Sequence, residues 1–218
     1  PIVAMNGKVI LDLELAPVLA EHRARAAEAT MVLREDPTGN VRCAADGRVT
    51  HLRDRTGPEP AGAGPACMFT GVQVMQPRFL DRIPADGPQC VVGTAYTELL
   101  VGGGPLYAHV TESYWWEHST VERYLQGVAN VLAGRARVGY APGPVRGVDR
   151  SAEIDGSAEI DPMVWIGPGA RVGAGAAIGP RVQLGAGVVV DPGVRLRDVV
   201  VWDGVRVSAD AEHAVLTG

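Results

Sequence analysis

The sequence predicts a mixed α/β part followed by a solenoid of short strands, and three observations carry that reading. From Val148 to Leu196 every sixth residue is a branched aliphatic: Val148, Ile154, Ile160, Ile166, Val172, Ile178, Leu184, Val190 and Leu196. Turn formers recur just after them, as in Asp161-Pro162, Gly167-Pro168-Gly169, Gly173-Ala174-Gly175, Gly185-Ala186-Gly187 and Asp191-Pro192-Gly193. Upstream, apolar segments of helical and of strand character alternate without that repeat. A period of six fits neither a helix, at 3.6, nor a plain alternating strand, at 2. It fits a short strand and a tight turn wound repeatedly, each aliphatic pointing inward and stacking on its counterpart one coil away.

The upstream elements follow in order. Ile2-Val3-Ala4-Met5 reads as a buried strand of a doubly covered sheet, and Asn6-Gly7 ends it, where α/β proteins place ligand loops. Asp12 to Ala29 reads as a helix with Asp12 at its N-cap, from Leu13, Leu15, Val18, Leu19, Ala26 and Ala27. Thr30 to Leu33 is a strand. Val41 to Ala44 and Arg48 to Leu52 flank Ala45-Asp46-Gly47 and make a hairpin with glycine at the left-handed position. Gly57 to Pro65 is a Pro/Gly/Ala loop. Cys67 to Met75 is a strand, Pro77 to Leu80 starts a short helix, and Thr94 to Leu100 is another. Leu106 to Val110 and Tyr114 to Glu117 are strands. Ser119 opens the last helix, with Tyr124, Leu125, Val128, Val131 and Leu132 on one face. Composition then shifts to Gly, Pro and Val, so the boundary is set near 136 to 147. The periodic register slips by one residue at Arg197-Asp198, and Val215-Leu216 closes a capping coil.

The repeat region resembles the hexapeptide-repeat left-handed β-helix. The net charge is −5 with no Lys/Arg run, which excludes a nucleic-acid partner. The three cysteines, Cys43, Cys67 and Cys90, have no CxxC spacing, so neither a disulfide framework nor a zinc site is expected. No apolar run reaches about 18 residues, so no membrane span is expected, and no signal peptide is visible. A cytoplasmic protein with reduced thiols follows. Because Pro1 to Met5 already reads as a buried strand, the chain is expected to begin in mid-domain.

An α/β part followed by hexapeptide repeats resembles the sugar-phosphate nucleotidyltransferases, the NDP-sugar pyrophosphorylases, and among them the GDP-mannose pyrophosphorylase-like branch. The stretches PIVAMNGKVILDLEL, DGRVTHLRDR, FTGVQVMQPRFLDRIP, YWWEHSTVERYLQGVANVL and VVVWDGVRV carry the likeness nearly end to end. Members of that family begin well upstream, with a Gly-rich loop whose Arg and Lys bind the nucleoside triphosphate. On this resemblance residues 1–140 are the C-terminal part of a nucleotidyltransferase α/β domain, a partial Rossmann-like one. Residues 141–218 are the β-helix. The 218-residue chain by itself is expected to form no NDP-sugar.

The chemistry the resemblance implies is nucleotidyl transfer from a nucleoside triphosphate to a hexose-1-phosphate with release of pyrophosphate. Mannose-1-phosphate guanylyl transfer is the first expectation. Such a transfer takes Mg²⁺ held by carboxylates, with cations to offset phosphate repulsion. The family's first metal-ligating Asp, after Asn-Gly, falls here on Lys8, whose ammonium cannot ligate an ion. The second, in a Trp-x-Asp segment, falls on Glu117, which still can. The Glu-Lys-Pro that holds the sugar hydroxyls and the sugar phosphate falls on Asp54-Arg55-Thr56, making Arg55 the catalytic cation and Asp54 a substrate-binding residue. The sugar-contacting Asn-Ala-Gly falls on Phe69-Thr70-Gly71, which keeps Gly71 and loses the amide. Asn6 and Gly39 complete the substrate-binding set.

Each position also has a plainer reading. Lys8 reads as an exposed loop lysine, Glu117 as a carboxylate near a helix N-terminus, Asp54 and Arg55 as a solvated hairpin end. Trp115, Trp116 and Trp202 read as packing residues. Three functions compete: an NDP-sugar synthase or a catalytically inactive regulatory or assembly homologue of it, a purely structural β-helix oligomerisation module, and a hexapeptide acyltransferase. The last needs a histidine base beside the coils, and none occurs between Val148 and Val207; His213 lies beyond. A homo-oligomer assembled through the β-helix is expected under all three.

Overall fold

The computed structural model describes residues 1–58, 64–141 and 143–218. The expected loop from Gly57 to Pro65 includes residues 59–63 and the expected boundary segment includes residue 142, which lie outside the described residues. In chain order the first strands are β1 (Ile2–Met5) and β2 (Val9–Leu11), followed by helix α1 (Leu15–Ala24). Then come β3 (Ala29–Glu35), β4 (Val41–Cys43), β5 (Val49–Leu52), β6 (Arg55–Thr56) and β7 (Cys67–Met75). A 3-10 turn, Pro77–Arg82, precedes a helical segment that opens with a π-turn at Val92–Tyr96 and continues as α2 (Thr97–Val101). β8 (Leu106–Val110), β9 (Trp115–Glu117) and α3 (Val121–Leu132) complete this part.

The chain divides into two compact units, Pro1–Val9 with Leu13–Ser113, and Ile10–Asp12 with Tyr114–Gly218. The first is a mixed sheet in the order β6-β5-β4-β7-β3-β8, with β1 also paired to β7. β3 and β8 are parallel and the other pairs antiparallel. Met31, Leu33, Leu52, Phe79, Tyr96, Leu99 and Leu106 are among the side chains that form its core. α1 is shorter than its apolar pattern suggested. Val9 to Leu11 are strand, Asp12 donates its backbone N–H to the Tyr114 carbonyl at 2.9 Å, and Glu14 takes the N-cap place. Pro17 supplies the fixed φ of a first helical turn, and Ala26, at φ 46°, ends the helix before β3. β1 is a strand as expected, but it is not buried: Met5 is 60% exposed, and Ile2 and Val3 are exposed as well. Its only ladder among the described residues is to β7, and of its four residues Ala4 packs against the core.

In the second unit, β10 (Gly147–Val148), β11 (Glu153–Ile154), β12 (Glu159–Ile160), β13 (Val164–Ile166), β14 (Arg171–Val172) and β15 (Ala177–Ile178) lead the solenoid. They continue as β16 (Val182–Leu184), β17 (Val189–Val190), β18 (Arg195–Val201), β19 (Arg206–Val207) and β20 (Ala211–Leu216). Val148 pairs with Ile166, Ile154 with Val172 and Ile160 with Ile178, all in parallel, so one coil takes 18 residues and three faces of six. This is a parallel β-helix. Ile166, Val172, Ile178, Leu184, Val190 and Leu196 are buried in one column system, with Ala170, Ala176, Val182, Val188 and Val194 between them.

The slip at Arg197-Asp198 is present. Leu184 pairs with Val201 rather than with residue 202, and β18 turns the corner at Asp198, whose φ is 52°. β20 pairs with β18 as the last coil. α3 starts one residue later than Ser119 implied: Thr120 is the N-cap, its Oγ1 accepting the N–H of Arg123 at 3.2 Å. Trp202 is 51% exposed at a solenoid corner, so it is not a packing residue.

Candidate functional site

β7 is the strand on which the first unit's candidate residues converge. β3 covers one edge of it throughout, from Cys67 to Met75. The other edge is shared: β4 reaches it only at Cys67, through Val41, and β1 only at Val72 to Met75. Between them the edge from Met68 to Gly71 is a notch, about 13 Å long at 3.3 Å per residue.

The register explains the notch. Leu33 faces Phe69 and Met31 faces Gln73, so Thr70, Gly71 and Val72 together oppose Val32 in a bulge. Thr70 Oγ1 donates to the Val32 carbonyl at 2.8 Å, and Gly71 at the centre has φ 81°, a conformation that glycine adopts without penalty. The bulge turns the Gly71 carbonyl to Asn6, whose backbone N–H donates to it at 3.0 Å. A Cβ on Gly71 would lie 2.5 Å from Asn6 Nδ2. Asn6 and Gly71 are therefore one local structure at one end of the notch.

Gly39 stands at the other end. A Cβ there would overlap the Cys67 carbonyl and lie 2.6 Å from the Met68 amide nitrogen, so close backbone packing alone requires glycine. Asp36 holds the loop before it, its carboxylate accepting from Thr38 N at 2.8 Å and Thr38 Oγ1 at 2.6 Å. Those two bonds keep the Asp36 carboxyl below its usual range. The next residue, Asn40, accepts the N–H of Arg53 at 2.7 Å, which joins this end to the β5–β6 hairpin.

Asp54 and Arg55 are on that hairpin and are exposed, with Arg55 Nε 3.6 Å from Asp54 Oδ2. Their neighbour Arg53, at φ 56°, reaches Cys90 Sγ at 3.9 Å. Backbone N–H groups at Gly93 and Val92, with Arg53, hold the Cys90 thiol below its ordinary value. The sequence assigns Cys90 no role beyond a reduced thiol, and no spacing signals this contact, which joins segments 37 residues apart. Lys8 is exposed in the turn between β1 and β2.

Glu117 belongs to the second unit, at the end of β9 and half-buried. Its carbonyl accepts from Arg123 Nε at 2.8 Å. Among the described residues no group of three or more His, Cys, Asp or Glu side chains is placed to hold a metal ion. Among them, too, no helix is long and apolar enough to cross a membrane.

Residues 157–192 match the family described as bacterial transferase hexapeptide (six repeats). The chain is 30% identical over 212 residues to the mannose-1-phosphate guanylyltransferase of Mycobacterium tuberculosis (strain ATCC 25618 / H37Rv), an alignment covering 95% of this chain and 54% of that protein. It is 25% identical over 147 residues to the UTP–glucose-1-phosphate uridylyltransferase of Synechocystis sp. (strain ATCC 27184 / PCC 6803 / Kazusa), covering 65% of this chain and 37% of that protein. It thus spans about half the length of the first relative and less of the second. The chain is sugar-nucleotidyltransferase-like, with hexapeptide repeats at its C-terminal side.

Proposed function

We propose that this chain is the sugar-phosphate-binding part and the β-helix of an NDP-sugar synthase. Residues 1–140 are read as nucleotidyltransferase domain and 141–218 as β-helix. In the reaction a hexose-1-phosphate oxygen attacks the α-phosphorus of a nucleoside triphosphate. The bond from that phosphorus to the β-phosphate oxygen breaks, and pyrophosphate leaves with the electron pair. Mannose-1-phosphate with a guanine nucleotide is the first substrate pair to test, because the most fully aligned relative above carries that name.

The observation that supports this reading is the notch on β7. Asn6, Gly39 and Gly71 were each chosen from sequence, and they flank one gap in one strand edge. Neither β4 nor β1 pairs with Met68 to Gly71, a stretch about 13 Å long that is read as the place of the sugar. Arg55 supplies a cation for the sugar phosphate, and its partner Asp54 can accept from a hydroxyl.

The metal chemistry rests on one carboxylate. Mg²⁺, when bound, would neutralise phosphate charge. Glu117 would hold it, and Lys8 cannot. A hard ion that keeps several waters accepts one protein carboxylate together with substrate phosphates, so the donor set fits in that reduced form. The lysine is also the observation that favours a second reading, an inactive regulatory homologue. Assembly into homo-oligomers through the β-helix, and a cytoplasmic location, belong to the same proposal.

Calorimetric titration with mannose-1-phosphate and glucose-1-phosphate tests the binding half. One of the two is expected to bind, with Arg55→Ala weakening it about tenfold, as loss of a charge-assisted phosphate contact does. No binding of either sugar phosphate would sink the reading.

A further inference from the structure

The strand end that carries Glu117 is tied to the first turn of α3 by reciprocal contacts, all within the second unit. Arg123 is the third helical residue, and its Nε–H and both of its backbone groups are committed. Its backbone N–H donates to Thr120 Oγ1 at 3.2 Å, its Nε–H to the Glu117 carbonyl at 2.8 Å, and its own carbonyl accepts the Trp116 indole N–H at 2.6 Å. The guanidinium carbon lies 4.5 Å from the centroid of the Trp116 ring. One turn on, buried Gly127 leaves room for His118 and Trp116 to lie on the helix: a Cβ there would overlap His118 Nε2 and lie 2.9 Å from Trp116 Cδ1. His118 in turn meets the Tyr124 ring edge-on at 5.6 Å. Residues 116, 117 and 118 are thus each fixed to α3, two by side chains and the middle one by its backbone.

We infer that Arg123 is a positioning residue for Glu117. Fixing the peptide on either side of a carboxylate removes the backbone freedom that would otherwise spread its oxygens over many places, the usual office of groups behind a metal-binding or substrate-binding side chain. The Nε–H bond goes to the Glu117 carbonyl oxygen, so it acts on the backbone that carries the carboxylate. The Nε–H bond to Glu117 and the guanidinium over the Trp116 ring account for an arginine where a capping box would place Glu or Gln. This inference rests on the proposed role of Glu117 in metal-dependent sugar-phosphate binding.

The test is the ratio of mannose-1-phosphate dissociation constants in EDTA and in Mg²⁺, measured by calorimetry on the whole chain. In the native protein the ratio exceeds one, and Glu117→Gln brings it close to one. Arg123→Ala is expected to lower the ratio about tenfold, or to the Glu117→Gln level if that is nearer. The double variant should match Glu117→Gln alone, an outcome that a merely structural role would not produce. Arg123→Lys, which keeps a cation near the indole without the Nε–H donor, should also lower the ratio and serves if Arg123→Ala does not fold. If both Arg123 variants keep the native ratio, or the double variant is additive, the inference is overturned while the proposed function stands. If the native protein binds no mannose-1-phosphate, or binds it equally with and without Mg²⁺, the role of Glu117 falls and the inference with it.

Discussion

Gly127 and His118 occupy the same space in turn: where a Cβ on Gly127 would point, the Nε2 edge of the His118 ring already lies. Gly127 is in the interior of α3, where alanine is ordinarily about 1 kcal/mol better than glycine. Gly127→Ala is nevertheless expected to destabilise the protein, by about 1–2 kcal/mol net, because overpacking costs about 1–3 kcal/mol. Urea denaturation checks the sign. A stabilised variant would mean that His118 and Trp116 do not rest on the helix there.

Gly39 faces backbone rather than a side chain. A Cβ would overlap the Cys67 carbonyl, and main chain cannot give way as the end of a flexible side chain can. Gly39→Ala should therefore cost about 3 kcal/mol, at the upper end of overpacking effects. It should also weaken sugar-phosphate binding through displacement of the Asn40 loop. Thermal unfolding followed by circular dichroism measures the first and calorimetry the second.

His22 is fully buried in α1, its Nδ1 2.9 Å from Thr30 Oγ1 and its Nε2 2.9 Å from Gln76 Nε2. The Gln76 amide donates to Nε2, so the neutral ring donates from Nδ1 to the threonine. Burial, with help from nearby positive charge including Arg23, holds its pKa below 6.5. The unfolded chain takes up this proton near pH 6.5 and the folded one only lower, so the unfolded state binds more protons in between. The contribution of His22 is therefore fully present above about pH 6.5 and is lost as pH falls below it. His22→Gln should flatten the stability profile between pH 5 and 7. An unchanged slope would assign it to other groups.

Asp198 combines a cost and a gain. It turns the slipped corner at φ 52° and takes both hydrogen bonds of a two-point pair with Arg181, itself at φ 57° on the coil before. Arg181 keeps the Asp198 carboxyl below its usual range. Removing the pair should cost about 1 kcal/mol or less, since Arg181 is partly exposed. Left-handed backbone costs a residue with a Cβ about 1–2 kcal/mol relative to glycine. Asp198→Ala should thus be less stable than Asp198→Gly, and the gap should persist in high salt, which screens the pair but not the backbone. Equal stabilities would remove the strain from the account.

The solenoid was legible almost to the residue because a strict period leaves few alternatives. Even the one-residue slip shows in the spacing of Leu196, Val199 and Val201, and the structure places it at the corner turned by Asp198. The upstream part was legible where alternation was long, as in Cys67 to Met75, and misread where short apolar runs serve either element. The apolar pattern puts Asp12 and Leu13 in the helix and gives Val9 to Leu11 no element, yet Val9 to Leu11 pair with β9, a tertiary partner that no local pattern announces. Asn6, Gly39 and Gly71 could be named separately from sequence, but their shared notch depends on a bulge opposite Val32, and a bulge leaves no mark beyond one glycine. The Arg123 ties to Trp116 and Glu117 were invisible for the same reason.

The proposed function depends above all on the Met68–Gly71 edge of β7 receiving a hexose-1-phosphate. The most direct measurement is a ¹H–¹⁵N correlation spectrum of the labelled chain during titration with mannose-1-phosphate. The backbone amides of Asn6, Gly39 and Gly71 are expected to shift together, saturating at one dissociation constant, while those of the solenoid core such as Ile178 and Leu184 stay in place. Saturable shifts that leave Asn6, Gly39 and Gly71 unmoved would contradict it.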